Sequence, residues 1–125
     1  MKKVKTKKRE KIEQAKIFVT ATFNNTIVTA TDLRGNTVAW ESSGSAGFRG
    51  TRKATPFAAT TTVDKLAKKI LELGVREVEV YIKGPGPGRD AALRAIRASG
   101  IKMNLIADIT PIPHNGTRAK KKRRV

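Results

Sequence analysis

The sequence predicts an α/β domain: a mixed five-stranded sheet with helices on its faces and a basic tail at each end. Three observations predict it. Short runs rich in β-branched residues alternate with two segments of helical spacing, in the order βββαβαβ. Gly, Asn and Pro punctuate the joins between them. Lys and Arg number 27 against 10 acids, a formal net charge of +17, and they crowd the ends of the 125-residue chain.

The elements follow in order. Residues 15–23, AKIFVTATF, predict a first strand, and Asn24–Asn25 form a pair that tolerates the left-handed turn of a tight hairpin. TIVTATD (26–32) predicts a second strand, LRGN (33–36) a turn and TVAWESS (37–43) a third strand. GSAGFRGTRKA (44–54) is too rich in glycine for regular structure. Thr55–Pro56 signals a helix start, a capping hydroxyl followed by proline at the first helical position. Ala59, Val63, Leu66, Ala67 and Ile70 then recur at helical spacing, and Gly74 stops the helix. REVEVYIK (76–83) alternates, with Val78, Val80 and Ile82 inward and Glu77 and Glu79 on a solvated face. KGPGPGRDAALRAI (83–96) runs from a glycine–proline turn into a second helix spanning about 89–99, capped by Gly100. Asp64 and Asp90 read as acids that complement helix N-termini. IKMNLIADI (101–109) predicts the last strand. Most of Phe18, Phe23, Trp40 and Phe57 are expected in the core, leaving Phe48 as the exposed ring.

Strand directions turn this order into a functional expectation. Each hairpin reverses the chain and each helical crossover restores its direction, so only the second strand runs antiparallel. The 24–25 turn, the 44–54 loop, the 83–89 loop and the C-terminal tail then all leave carboxyl ends of parallel strands. They gather on one edge, where open α/β sheets bind ligands. Arg49, Arg52, Lys53, Lys83, Arg89 and Arg118 would stand there as a basic rim, with the turn at Asp32–Asn36 on the far edge.

Charge divides the chain into an N-terminal arm (1–14), one folded α/β domain (15–113) and a C-terminal tail (114–125). Residues 1–16 hold eight basic side chains and two acids; residues 114–125 hold six basic side chains and no acid. Such runs repel themselves and should be disordered in the free protein. Two runs of one sign, at both ends, point to a polyanionic partner. A membrane surface fits less well, because neither tail has the aromatic or leucine face that enters lipid.

Enzyme and cofactor readings fail on spacing. GPGPGR lacks the G-x-x-x-x-G-K-[ST] of a nucleotide-binding P-loop, and as G-x-G-x-G after a fourth strand it departs from the dinucleotide motif. Its two prolines also remove two N–H donors. The turn reads instead as a stiff support that presents a helix N-terminus, with Lys83 and Arg89, to a phosphate of a polymer. The βββαβα order is that of ribonuclease-H-like nucleases, but two-metal chemistry needs clustered carboxylates. Residues 14–31 contain no Asp or Glu, and Asp108 stands alone. His114, the single histidine, has no acid or Cys beside it, and the chain has no Cys. No catalytic residue, metal site, cofactor or small-molecule substrate is therefore expected. Single-strand binding by base stacking needs exposed rings among the bases, for which Phe48 is the candidate. Backbone reading of structured RNA fits better.

FNNTIVTATDLRGN, GFRGTRKATPFAA, KGPGPGRDAALRAI and DITPIPHNGTR…KKRRV, in this order and at these separations, resemble the small-subunit ribosomal protein S11 family from about residue 15 onward. The terminal RRV is similar to bacterial and organellar members. The resemblance implies a ribonuclease-H-like fold without nuclease activity. It implies a structural role on the platform of the small subunit, in the cytoplasm or an organelle. Small-subunit rRNA, neighbouring ribosomal proteins and the nearby messenger RNA exit region would surround it. The residues assigned to RNA are Lys2, Lys3, Lys7, Lys8 and Arg9 of the arm and Asn24 and Asn25 of the first turn. Arg49, Arg52, Lys53, Lys83, Gly84, Gly86, Gly88 and Arg89 follow on the rim. His114, Asn115, Arg118, Lys120, Lys121, Lys122, Arg123 and Arg124 complete the set in the tail. Thr117 stands where members of this type usually have Cys, and Ala119–Lys120 where they usually have two prolines, which makes the tail less stiff and more basic. A free-standing nucleic-acid chaperone that binds by charge is the alternative.

Overall fold

The computed structural model describes residues 12–122, without the side chain of Thr51. The strands are β1 (Gln14–Ala21), β2 (Thr26–Thr31), β3 (Thr37–Ser42), β4 (Glu77–Lys83) and β5 (Lys102–Asp108), and the helices are α1 (Pro56–Glu72) and α2 (Gly88–Ala98). They form one five-stranded sheet in the order β3-β2-β1-β4-β5. β2 runs antiparallel to both neighbours, while β1 pairs in parallel with β4 and β4 with β5. The βββαβαβ order and the mixed sheet are as the sequence predicts.

Both helices lie on the same face. The crossovers β3-α1-β4 and β4-α2-β5 step across the sheet in the same direction, and right-handed connections then put both helices on one side. Alternation in β1 aims Ala15, Ile17, Val19 and Ala21 at them. Ala15, Ile17 and Val19 form one core with Val28 and Ala30 of β2, Val78, Val80 and Ile82 of β4, Val63, Leu66 and Ile70 of α1, and Ala92 and Ile96 of α2. A fully buried Ile or Leu of this kind contributes about 1.5–3 kcal/mol. On the opposite face Phe18 and Tyr81, paired across β1 and β4, stack with ring centroids 5.2 Å apart.

Several local expectations are corrected. Residues 50–54 form a short 3₁₀ helix inside the segment read as irregular. The turn between β1 and β2 closes without left-handed backbone at Asn24 or Asn25, since the one positive φ outside glycine among the described residues is at Asn115. Thr22 Oγ1 does the work there, accepting from the backbone N–H of Asn24 and of Asn25. Asp64 lies in the middle of α1, and only Asp90 occupies a first helical turn. Thr55 caps α1 as expected, its hydroxyl accepting from Ala58 N at 3.2 Å.

The aromatic side chains depart furthest. Phe23 is 73% exposed, Trp40 56% and Phe57 71%, while Phe48 is half-buried edge-on against Phe57. Among the described residues no aromatic side chain belongs to the buried core. Phe57 sits opposite the buried stripe of α1, roughly 200° around the helix from Ala59. Trp40 pairs with Thr29 on the open sheet face. Its inward neighbour is Glu41, buried where it meets Lys69.

Candidate nucleic-acid interface

The carboxyl ends of β1, β3, β4 and β5 meet on one edge of the sheet, and backbone bonds stitch their loops together. Gly86 N donates to Ala21 O at 2.9 Å, Ser43 N to Thr26 O at 3.0 Å and Ile109 N to Ile82 O at 2.8 Å. This edge carries the 22–25 turn with Asn24 and Asn25, the segment with Arg49, Arg52 and Lys53, and Lys83 at the end of β4. The tail bearing His114, Asn115, Arg118 and Lys120–Lys122 departs from it past β5. The chain thus brings together at one rim the segments that the sequence assigns there. The Asp32–Asn36 turn lies on the far edge, where the Asp32 carboxylate accepts from Asn36 and from Arg34 N. Bonds from Asn36 first of all hold that carboxyl below its ordinary range.

The glycines of the 84–88 loop have an architectural task. Gly84, Gly86 and Gly88 are all buried. A Cβ on Gly84, at φ +99°, would stand 2.3 Å from Ala21 O. On Gly86 it would stand 2.4 Å from Thr22 O, and on Gly88 2.6 Å from Thr26 Oγ1. The loop is pressed against the end of β1, and only glycine permits the approach. Two of its N–H groups are used inside the protein, Gly86 as above and Gly84 by Thr110 Oγ1 at 3.0 Å.

Arg89 is likewise engaged. Its Nη1 donates to Gly84 O at 3.1 Å and its Nη2 to Asp108 Oδ2 at 2.6 Å. The other oxygen of Asp108 accepts from Thr110 Oγ1 at 2.6 Å and Thr110 N at 3.0 Å. These bonds, those from Thr110 foremost, lower the Asp108 pKa to about 2. One bracket therefore joins the end of β4, the start of α2 and the end of β5. Sequence reasoning left Asp108 without a role, and its only signal was Thr110 two residues on, the Asx pattern of a carboxylate bonding its own downstream backbone.

Arg49, Arg52, Lys53, Lys83 and Arg118 have no ion-pair partner among the described residues, where the ion pairs are Lys69–Glu41 and Arg89–Asp108. Asp90 and Arg94 are not paired, although their spacing allows it. Burial alone would raise the Glu41 pKa, but the bonds from Lys69 and Ser45 outweigh it and hold the carboxyl low. Glu77 and Glu79 lie on the open sheet face as expected, the first accepting from Gln14 and Asn104, the second from Tyr81. Residues 111–122 form no helix or strand, and every one is exposed. Lys2, Lys3, Lys7, Lys8, Arg9, Arg123 and Arg124 lie outside the described residues. Among the described residues no three His, Cys, Asp or Glu side chains gather as a metal site would require.

Comparison with known proteins shows the family of the chain. A profile of the ribosomal protein S11 family matches residues 15–124. Small ribosomal subunit protein uS11c of Cicer arietinum is 57% identical over 119 residues, covering 95% of this chain and 86% of the relative. Small ribosomal subunit protein uS11 of Nitratidesulfovibrio vulgaris is 53% identical over 122 residues, covering 98% and 95%. A match that spans the sheet, both helices, the glycine loop and the tail leaves one conclusion: the chain belongs to the ribosomal protein S11 family.

Proposed function

We propose that the chain is a structural, non-enzymatic protein of the small ribosomal subunit, in the cytoplasm or an organelle, that clamps small-subunit rRNA through its basic rim and tails. The single observation that carries this is the gathering of unpaired cations on one sheet edge, in a family named for the ribosome. Arg49, Arg52, Lys53 and Lys83 contact phosphates of one RNA surface, aided by the N-termini of α1 and α2. Asn24 and Asn25, on the same edge, add polar contacts. Gly84, Gly86, Gly88 and Arg89 fix the shape of that surface, and Arg89 keeps its remaining N–H groups for RNA. His114, Asn115, Arg118, Lys120–Lys122, Arg123 and Arg124 follow a neighbouring RNA helix, and the basic arm follows another. The position is the subunit platform, near the path by which messenger RNA leaves and beside other ribosomal proteins.

Phosphate neutralisation sets the salt dependence. With about 8–10 phosphates contacted, log Kd against log salt should have a slope of roughly 6 to 9 in magnitude. Filter binding of the full chain to a small-subunit rRNA fragment between 0.05 and 0.5 M salt measures it. A slope below about 3 in magnitude rejects the clamp. Equal affinity for folded rRNA and bulk duplex at the same salt favours the charge-only chaperone instead.

A further inference from the structure

A groove of about 380 Å³ runs between α1 and α2. Phe57, Thr60 and Asp64 line it from α1, and Ala91, Arg94 and Ala95 from α2. Its lining includes Phe57 of the first turn of α1, the helix that starts from the rim edge after β3. We infer that this groove is a binding slot for an unpaired nucleobase of the RNA, stacked on Phe57 and clamped by Arg94. The inference rests on the RNA-binding reading above and adds a base-contacting site to it.

Six features carry it. Phe57 is 71% exposed, an unusual position for a phenylalanine on a helix whose other face fills the core. Its ring is held in place, because Phe48 packs edge-on against it with centroids 5.8 Å apart and an interplanar angle of 82°. One face of a fixed ring beside a groove is what base stacking requires, and every base has a π-face to offer. On the opposite wall Arg94 is exposed and has no ion-pair partner among the described residues. A guanidinium there can lie over the second face of the base or hold its 5′ phosphate. The small side chains of Ala91 and Ala95 keep the slot open to a flat group. Asp64, on the Phe57 wall, is an acceptor for an exocyclic amino group, which cytosine and adenine carry and uracil lacks. The charge of the whole chain, +17, chooses a polyanion's base over an apolar peptide side chain as the occupant.

The test compares strands with identical phosphates. The full-length chain is titrated with an RNA octamer of cytidines, the octamer of uridines, and an octamer of abasic ribose phosphates. The cytidine octamer should bind about 5- to 100-fold tighter than the abasic strand at one salt concentration. Phe57→Ala should erase that gap and leave the salt slope unchanged. Phe57→Leu, which keeps an apolar contact for Phe48, should erase most of it with an unaltered Tm. Asp64→Asn should remove the preference for cytidine over uridine. Equal binding of the cytidine and abasic strands by the native chain overturns the slot, as does a Phe57→Ala variant that keeps the gap. Both results leave a steep salt slope intact, so they reject the slot alone. A shallow slope for all three strands rejects the RNA-binding reading itself.

Discussion

The 84–88 loop and the 111–122 segment leave the same edge of the sheet and were both assigned to RNA from sequence, yet they are built in opposite ways. The loop has buried glycines, backbone pressed onto β1 and an arginine bracketed by Asp108. The segment is exposed at every residue. In the loop, glycine and arginine make the shape of the rim. In the tail, lysine and arginine supply charge and ask nothing of the fold. A glycine-rich turn beside a basic residue thus looks like an anion cradle in sequence and serves as a joint in three dimensions.

Neutralising the tail probes one side of this contrast. Changing Arg118, Lys120, Lys121, Lys122, Arg123 and Arg124 to alanine removes six cations. If all six meet phosphates, the salt slope should fall by roughly 4 to 5 and affinity for an rRNA fragment by about 10³- to 10⁴-fold at 0.1 M salt. The Tm of the free protein should not move, because the described tail residues bury nothing. A variant that melts earlier shows the tail packing on the domain and dissolves the distinction.

Alanine in the loop probes the other side. Gly84→Ala meets both a left-handed backbone and a carbonyl oxygen at 2.3 Å, and should destabilise the domain by roughly 3–5 kcal/mol. Gly35→Ala is the control. It has a similar φ, +95°, but open space around the Cβ, so it should cost only about 1–2 kcal/mol. Chemical denaturation measures both. A Gly84→Ala protein as stable as the control means that the loop yields, and that the rim is not rigidly held there.

The sequence made the skeleton readable because its signals are local and periodic. Alternation placed Val78, Val80 and Ile82, helical spacing placed Val63, Leu66 and Ile70, and Thr55–Pro56 marked the start of α1. From these, strand direction alone produced the rim. What stayed hidden depends on contacts between distant segments. The burial of Gly84, Gly86 and Gly88 is decided by Ala21, Thr22 and Thr26, more than fifty residues earlier in the chain. Glu41 is buried because Lys69 reaches it from α1, and that inward charge leaves Trp40 on the open face. The exposure of Phe57 is legible in its spacing: it falls off the stripe that Ala59, Val63 and Ile70 define. Residue type suggested core, while position on the helix excluded it.

The bracket at Asp108 gives the smallest effect, and it sharpens the contrast because it ties the loop to the root of the tail. The folded-state pKa of Asp108 is about 2, below its ordinary value of 3.8. A depressed carboxyl pKa means that the ionised form is favoured by folding. Its contribution is full above 3.8 and drains away as the pH falls toward about 2. Asp108→Asn keeps one carbonyl acceptor and loses the charge. Its Tm should therefore lie below that of the native chain at pH 6, and the difference should shrink between pH 3.8 and about 2. Asp32 and Glu41, whose pKa values are also lowered, titrate in both proteins and cancel in the difference. A gap that persists unchanged to pH 2 shows that the carboxylate charge is not what holds the bracket. At neutral pH the same variant frees Arg89 from its counter-charge, so RNA affinity should hold or rise while stability falls. Those opposite signs separate a residue that shapes the rim from one that supplies its charge.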